Sequence, residues 1–132
     1  MKMQPGAVVY AKDLDKLSAF YAAVTELAVL SVQPDHVVLG GGGFELVVVA
    51  IPAHIARSID IANPPLRREE TPIKLIFVVR SIAVARSLAP IHGGELDPPE
   101  SEWALPGGRV CDGHDPEGNV IQVRERIQSS GN

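Results

Sequence analysis

The order of predicted elements constrains this chain most, because the same order occurs twice. Each half starts with a short apolar run of strand length, continues into an amphipathic helix, and ends in three further strand-like runs. Asp13 and Ser81 are the two predicted helix N-caps and mark equivalent points of the halves. Little sequence identity survives between the halves, so the internal repeat depends on element order. An unrelated α+β fold with two helices is the alternative that this pattern leaves open.

The first half predicts a βαβββ module over about residues 6–51. Ala7–Ala11 has the length and the β-branched content of a buried strand. Behind Asp13, apolar side chains recur at helical spacing, which predicts a helix over 13–27. Three strand-like runs follow at 28–33, 36–39 and 44–51, and the glycine run Gly40–Gly43 is predicted to be a turn between the last two.

The second half repeats this order over about residues 73–126. A strand at 73–79 precedes a helix that starts at Ser81 and stops before Gly93 and Gly94. Strand-like runs follow at 95–96, 109–112 and 119–125, with a polar loop around Trp103 over 98–108. A proline-rich linker over about 52–72, with a possible short helix at 53–61, joins the modules. We therefore expect one domain over residues 1–132.

Composition excludes several classes of partner. Lys and Arg number 12 against 16 Asp and Glu, a net charge of −4, and no basic cluster of the kind that binds nucleic acid is present. No apolar run approaches the roughly 20 residues of a membrane-spanning helix. Cys111 is the only cysteine, so no intrachain disulfide can form, and the first residues do not form a secretory signal pattern. We expect a cytoplasmic protein with no nucleic-acid or membrane partner.

Two local motifs point to a family. Lys12–Lys16 followed by Phe20 and Tyr21 resembles the strand, Asp-Leu, helix, Phe-Tyr start of vicinal oxygen chelate proteins. Asp115–Gln122 resembles their terminal hairpin, Asp-Pro-Asp-Gly-Asn followed by an apolar–acidic–apolar strand. By itself the second motif predicts only a turn, because proline presets φ and Gly118 can adopt a left-handed conformation. The superfamily includes glyoxalase I, bleomycin-resistance proteins and extradiol dioxygenases.

The resemblance implies an α+β fold in which two βαβββ modules form a cup-shaped, partly closed mixed β-sheet barrel with its helices outside. It also implies a homodimer, since single-chain members of this size usually dimerise. In enzyme members, inner-face side chains hold one divalent metal that acts as a Lewis acid on vicinal oxygens of the substrate.

The resemblance places the four possible metal ligands at the first and last strands of each module. The matching residues are Gly6, Glu45, Lys74 and Gln122. Glu45 is the expected ligand type and Gln122 offers only an amide oxygen, whereas glycine has no donor and an ammonium repels a cation. We therefore expect no metal and no other cofactor, and only an atypical site on Glu45 and Gln122 would change this.

Other residues of the expected inner face form the predicted ligand-binding set. If Glu45 and Lys74 both face the cup, they are expected to form a buried ion pair in place of the metal, satisfied further by Gln122; alternatively Lys74 binds a substrate carboxylate or acts as a base. Alternation along the strands adds apolar positions together with Tyr10 and Arg124. Trp103 is a candidate lid over the cup or, alternatively, a loop anchor packed on the core. The predicted ligand-binding residues are Tyr10, Glu45, Lys74, Trp103, Gln122 and Arg124, with Arg109 a possible rim residue.

The remaining metal-ligand types are expected to be structural. His36, His54, His92 and His114 form no short-range metal motif, and each is predicted to lie at the surface. The cluster at 111–115, which contains Cys111, Asp112 and Asp115, is predicted to be a solvated turn.

Three functions remain open on the sequence. The first is a small-molecule-binding protein without the usual divalent metal. The second is a metal-dependent lyase or dioxygenase with an atypical site on Glu45 and Gln122. The third is an interaction module with an empty cup. No catalytic residue is assigned.

Overall fold

The computed structural model describes residues 3–127 and contains two β-sheets and three α-helices. The first module comprises β1, α1, β2, β3 and β4, and the second comprises β5, α3 and β6 to β9. The bounds are β1 Gly6–Ala11, α1 Leu14–Thr25, β2 Ala28–Gln33, β3 His36–Gly41, β4 Phe44–Ala50, α2 Ala53–Ala56, β5 Leu75–Val79, α3 Ile82–Leu88, β6 Glu95–Leu96, β7 Trp103–Leu105, β8 Gly108–His114 and β9 Val120–Arg126.

The two sheets have related strand orders. The first sheet runs β1-β4-β3-β2, and the second runs β5-β9-β8-β6, with β7 paired to β8. In both, the first strand of the module is parallel to the last and the remaining pairs are antiparallel. Neither sheet is closed into a barrel. The predicted α+β class with two βαβββ modules is confirmed.

Helices α1 and α3 begin where the sequence predicts. The Asp13 carboxylate accepts the N–H of Lys16, and the Ser81 hydroxyl accepts the N–H of Val84, so each side chain satisfies an amide of the first turn. Glu26 ends α1 in a left-handed conformation with φ of 66°. The helix predicted at 53–61 is shorter than expected, because only Ala53–Ala56 is helical.

One core joins the two modules. Helix α1 packs on β3 and β4 of its own sheet and also contacts α3 and β5 of the second module. Its buried aromatic side chains meet the second sheet directly: the Tyr21 ring lies 5.6 Å from that of Phe77, which in turn lies 5.9 Å from Phe44 of β4. The helix-side faces of both sheets therefore share one hydrophobic cluster.

The predicted loop at 98–108 is wrong in part. Trp103–Leu105 forms β7, which pairs with Gly108–Val110 of β8 across a turn at Pro106 and Gly107. Gly107 has φ of 84°, a conformation that favours glycine. Strands β6 and β7 lie along the same edge of β8, so together they take the place that β2 has in the first sheet. Strand β7 could not be predicted from the sequence, because three residues are too few to show an alternating pattern and the strand depends on its pairing with β8.

Candidate functional site

The helix-free faces of the two sheets carry the predicted inner-face residues. Along β1, Val8 and Tyr10 are 54% and 66% exposed and alternate with residues packed on the core. Along β5, Ile76 and Val78 are 47% and 49% exposed and alternate with buried Phe77 and Val79. Large apolar side chains are rarely left open in such numbers on one face. These are the faces that the predicted cup uses, and in one chain both are open.

Four polar side chains form a connected row on the helix-free face of the second sheet. Lys74 Nζ lies 2.9 Å from Asp112 Oδ2, and Gln122 Nε2 donates to Asp112 Oδ1 at 3.1 Å. Arg124 Nε donates to Gln122 Oε1 at 2.8 Å. We call Lys74, Asp112, Gln122 and Arg124 the polar row. Register explains it, because Asp112 lies opposite Gln122 across β8 and β9.

The ion pair predicted between Glu45 and Lys74 is not formed within the chain. Lys74 precedes β5 and pairs with Asp112 of the second sheet, whereas Glu45 lies on β4 of the first sheet. The carboxylate that Lys74 meets is therefore the cross-strand neighbour on its own sheet, and Glu45 is not its partner within the chain. Within residues 3–127, Glu45 forms no salt bridge.

The residues at the family's metal positions do not form a donor set for a divalent cation. Gly6 must remain a glycine, because an added Cβ would lie 1.8 Å from the carbonyl oxygen of Glu45. Gln122 Oε1 already accepts from a guanidinium, and Lys74 adds a positive charge beside it. Among the described residues, no group of three or more His, Cys, Asp or Glu side chains is arranged to hold a metal.

The linker reaches the same face of the second sheet through Arg67. Its guanidinium donates to both Asp97 oxygens, at 2.8 Å and 3.3 Å, and its Nε donates to His114 Nδ1 at 3.1 Å. Arg68 then donates its backbone N–H to the carbonyl of Gly118. The sequence analysis did not predict that Arg67 and Asp97 belong to this site. The adjacent arginines at 67–68 are the one sequence signal for Arg67. The position of Asp97 follows only from the pairing of β6 with β8.

The 111–115 cluster is not the solvated turn that the sequence predicted. Cys111 and Asp115 are fully buried and His114 is 8% exposed, because β8 extends to His114 and the helices and linker cover its end. Burial, reinforced by the charge of Arg67, lowers the pKa of His114. Burial likewise raises the pKa of the Cys111 thiol, although Arg86 opposes this. A buried thiol of raised pKa is a poor nucleophile.

The other three histidines are not buried. His36 begins β3, partly exposed, and lies 2.8 Å from Asp35; His54 is exposed on α2; and His92 is partly exposed in a 3₁₀ turn after α3. The glycine run is a hairpin turn, with Gly42 and Gly43 at φ of 60° and 81°.

Two further predicted residues lie on opposite sides of the second sheet. Trp103 is 40% exposed and pairs with Val110, beside the polar row, on β7 and not in a loop. Arg109 Nε donates to Glu102 Oε1 at 2.9 Å on the helix side, and the residue also borders the cavity at the β7–β8 end of the sheet. Hydrogen bonds from Arg86 and Arg109 hold the pKa of Glu102 below its usual value despite its burial.

Cavities accompany these faces. One of about 730 Å³ lies between β1 and β5 under the linker, lined by Val8, Tyr10, Ile73 and Val120 among others. Another of about 340 Å³ lies at the β7–β8 end of the second sheet, beside Arg124. A third, of about 540 Å³, lies between the start of α1 and the linker.

None of the α-helices among residues 3–127 is long and apolar enough to cross a membrane.

Comparisons with known proteins establish the fold. No family model matches the chain, and no curated protein matches its sequence. Among solved structures, TnmS3, an antibiotic binding protein from Streptomyces sp. CB03234, is 22% identical with a TM-score of 0.60, covering 96% of this chain and 98% of its own. A glyoxalase/bleomycin resistance protein from Albidiferax ferrireducens T118 is 15% identical with a TM-score of 0.67, covering 96% and 100%.

A third similar structure is the fosfomycin resistance protein FosX from Listeria monocytogenes, 13% identical with a TM-score of 0.62 over 98% of this chain and 94% of its own. The matches extend over almost the whole length of both partners, so the two modules and their arrangement are shared. The chain has the fold of the vicinal oxygen chelate superfamily, the fold of the glyoxalase, bleomycin resistance and dioxygenase proteins.

Proposed function

We propose that this protein binds a small molecule on its helix-free sheet faces and does so without a divalent metal. The observation that supports this proposal is the polar row, in which an ammonium, a carboxylate, an amide and a guanidinium are in mutual contact. Two of its members, Lys74 and Gln122, stand at positions that the resemblance assigns to metal ligands. A few polar groups among exposed apolar side chains are the usual character of a ligand site.

The predicted ligand-binding residues enter this proposal by their positions. Lys74, Gln122 and Arg124 belong to the polar row, and Trp103 lies beside it. Tyr10 and Glu45 lie on the helix-free face of the other sheet. Two similar structures agree with a binding role, since TnmS3 is an antibiotic binding protein and another, encoded on the transposon Tn5, is a bleomycin resistance determinant.

A homodimer is part of the proposal. Val8 and Tyr10 leave the helix-free face of the first sheet open and apolar, and a second copy would cover it. Within residues 3–127, Glu45 carries no ion pair on the first sheet, and Lys74 of the second copy would supply the opposite charge. Light scattering on the purified protein should give twice the 14.1 kDa of the chain. A monomeric mass would contradict this part.

The binding test uses a neutral apolar fluorophore, N-phenyl-1-naphthylamine. Trp103 is the single tryptophan of the chain and lies on the proposed face, so energy transfer from it reports binding there. Ile76→Asp places a charge on that face and should abolish the transfer. Val84→Asp is the matched control, because Val84 is 55% exposed on α3, away from both faces. No transfer in the parent protein, or equal loss in both variants, would overturn the proposal.

Metal independence is tested separately. Protein purified without chelator and dialysed against mixed divalent cations should retain far less than one metal per chain, measured by mass spectrometry. Retention of about one metal, lost in Glu45→Ala, would favour the alternative lyase or dioxygenase with an atypical site.

The proposed location is the cytoplasm. The single buried cysteine agrees with this location.

A further inference from the structure

The cavity at the β7–β8 end of the second sheet combines an apolar lining with arginine side chains. Its volume is about 340 Å³, and its lining includes Val78, Leu105 and Val110 together with Arg124 and Arg126. Val78 is 49% exposed and Leu105 is 36% exposed, so apolar surface is available within it. The cavity adjoins the polar row, because Arg124 belongs to both.

Strand alternation puts both arginines on the helix-free face. Arg124 and Arg126 are two residues apart on β9, so their side chains point to the same side, and Glu125 between them points to the other. Glu125 Oε1 accepts the N–H of Ile82 at 2.7 Å, at the start of α3. The Glu125 carboxylate therefore points to the opposite face of the sheet and does not neutralise the guanidinium groups of Arg124 and Arg126.

No other carboxylate neutralises this pair. Within residues 3–127, neither Arg124 nor Arg126 forms a salt bridge, and the contact of Arg124 is to the neutral amide of Gln122 through Nε. Arg109, which also lines the cavity, is bound by Glu102. Asp112, the acidic member of the polar row, is already paired with Lys74. The face around the cavity thus carries an excess of positive charge in a protein whose net charge is −4.

We infer that this cavity selects an amphipathic organic anion, and the inference rests on the proposed function. The planar guanidinium groups of Arg124 and Arg126 present paired N–H donors that suit a carboxylate, sulfonate or phosphonate group. The apolar part of the same molecule lies over Val78 and Leu105. An uncharged molecule of the same size gains only the second contribution, so the arginines decide which ligand class binds.

The experiment compares two probes that differ in charge. The anion is 8-anilinonaphthalene-1-sulfonate, and the neutral probe is N-phenyl-1-naphthylamine. Both accept energy from Trp103, whose strand pairs with Val110 beside the cavity. In the double variant Arg124→Gln/Arg126→Gln, we expect the anion to bind about tenfold or more weakly, as for the loss of a charge-assisted contact. The neutral probe should change by less than about threefold, since its apolar contacts remain.

Two controls fix the interpretation. Arg57→Gln removes one positive charge from an exposed site after α2 and should affect neither probe. Arg124→Lys/Arg126→Lys keeps the charge without the planar donors and should give an intermediate affinity for the anion. If the glutamine variant does not fold, salt titration of the parent protein decides, because added sodium chloride should weaken binding of the anion alone.

The outcomes separate the two proposals. Equal loss of both probes in the glutamine variant, or unchanged binding of the anion, would overturn the anion assignment and leave small-molecule binding intact. An equal response of both probes to salt would do the same. Failure of both probes to bind the parent protein would overturn the proposed function as well.

Discussion

The hydroxyl of Tyr21 donates a hydrogen bond of 2.6 Å to Oδ2 of Asp115, across 94 residues of sequence. Both side chains are almost completely buried. Asp115 also accepts from the backbone of Glu117 and from the backbone and side chain of Asn119. The helix of the first module is thereby joined to the terminal turn of the second, and these are the two motifs that carry the family resemblance.

Tyr21→Phe should lower the free energy of unfolding by about 1–2 kcal/mol, because it removes one donor from a buried carboxylate. Urea denaturation followed by circular dichroism measures this. Ser101→Ala is the control: Ser101 is exposed, and the loss of its hydroxyl should change stability by no more than about 0.5 kcal/mol. Equal effects of the two substitutions would show that the buried hydrogen bond contributes no more than an exposed hydroxyl.

Glu117→Gln should destabilise the junction between the modules. The Glu117 carboxylate accepts the backbone N–H of Lys12 at 2.9 Å and that of Asp13 at 2.9 Å. An amide offers one acceptor oxygen, so one N–H would face an NH₂ group, at a cost of about 1–3 kcal/mol. Hydrogen exchange at these two amides should quicken in the variant. Exposed Glu100→Gln should leave both amides protected, and equal protection in Glu117→Gln would contradict the prediction.

Gly6→Ala should weaken the pairing of β1 with β4. The added Cβ would lie 1.8 Å from the carbonyl oxygen of Glu45, so backbone must move, and we expect a loss of about 1–3 kcal/mol or more. Thermal unfolding gives the comparison with Gly41→Ala, where the nearest atom to the new Cβ would be Leu27 Cδ2 at 3.4 Å. A Gly6→Ala protein as stable as Gly41→Ala would mean that the strand accommodates a side chain there, and position 6 would again be open to a metal ligand.

Acidification should destabilise the protein through His114. Its pKa is lowered by burial and by Arg67, while Glu95, Asp115 and Asp97 oppose this. The unfolded chain takes up a proton near its usual pKa of about 6.5 that the native imidazole does not, so the free energy of unfolding falls as the pH drops below that value. Denaturation at about pH 7.5 and about pH 5.5 measures the change, which should reach roughly 1 kcal/mol.

The His114 contribution is isolated by substitution. His114→Gln should show a smaller loss of stability over that pH interval than the parent protein. His54→Gln, at an exposed position on α2, should keep the parental loss. The same loss in His114→Gln as in the parent would assign the pH dependence to other groups.

The sequence by itself determined the local elements. Asp13 and Ser81 cap their helices through side-chain oxygens that lie three residues from the amides they accept, so no distant contact is needed. Alternation likewise placed Val8, Tyr10, Ile76 and Val78 on one kind of face. The order of apolar strand-like and helical runs was sufficient to predict the two βαβββ modules, and the two motifs at the helix start and the terminal turn pointed to the family.

Tertiary structure decided the partners within the candidate site. Lys74 pairs with Asp112 and not with Glu45, because the register of β8 against β9 brings Asp112 to the same face of the second sheet. Arg67 reaches His114 from the linker, and Glu125 turns away from Arg124 and Arg126 to cap α3. These contacts join residues that are far apart in the chain, and the hydrophobic pattern of a short segment does not indicate which distant residue it will contact in the fold. The sequence thus specified the modules, and the packing of one sheet against the helices specified which charges remain available to a ligand.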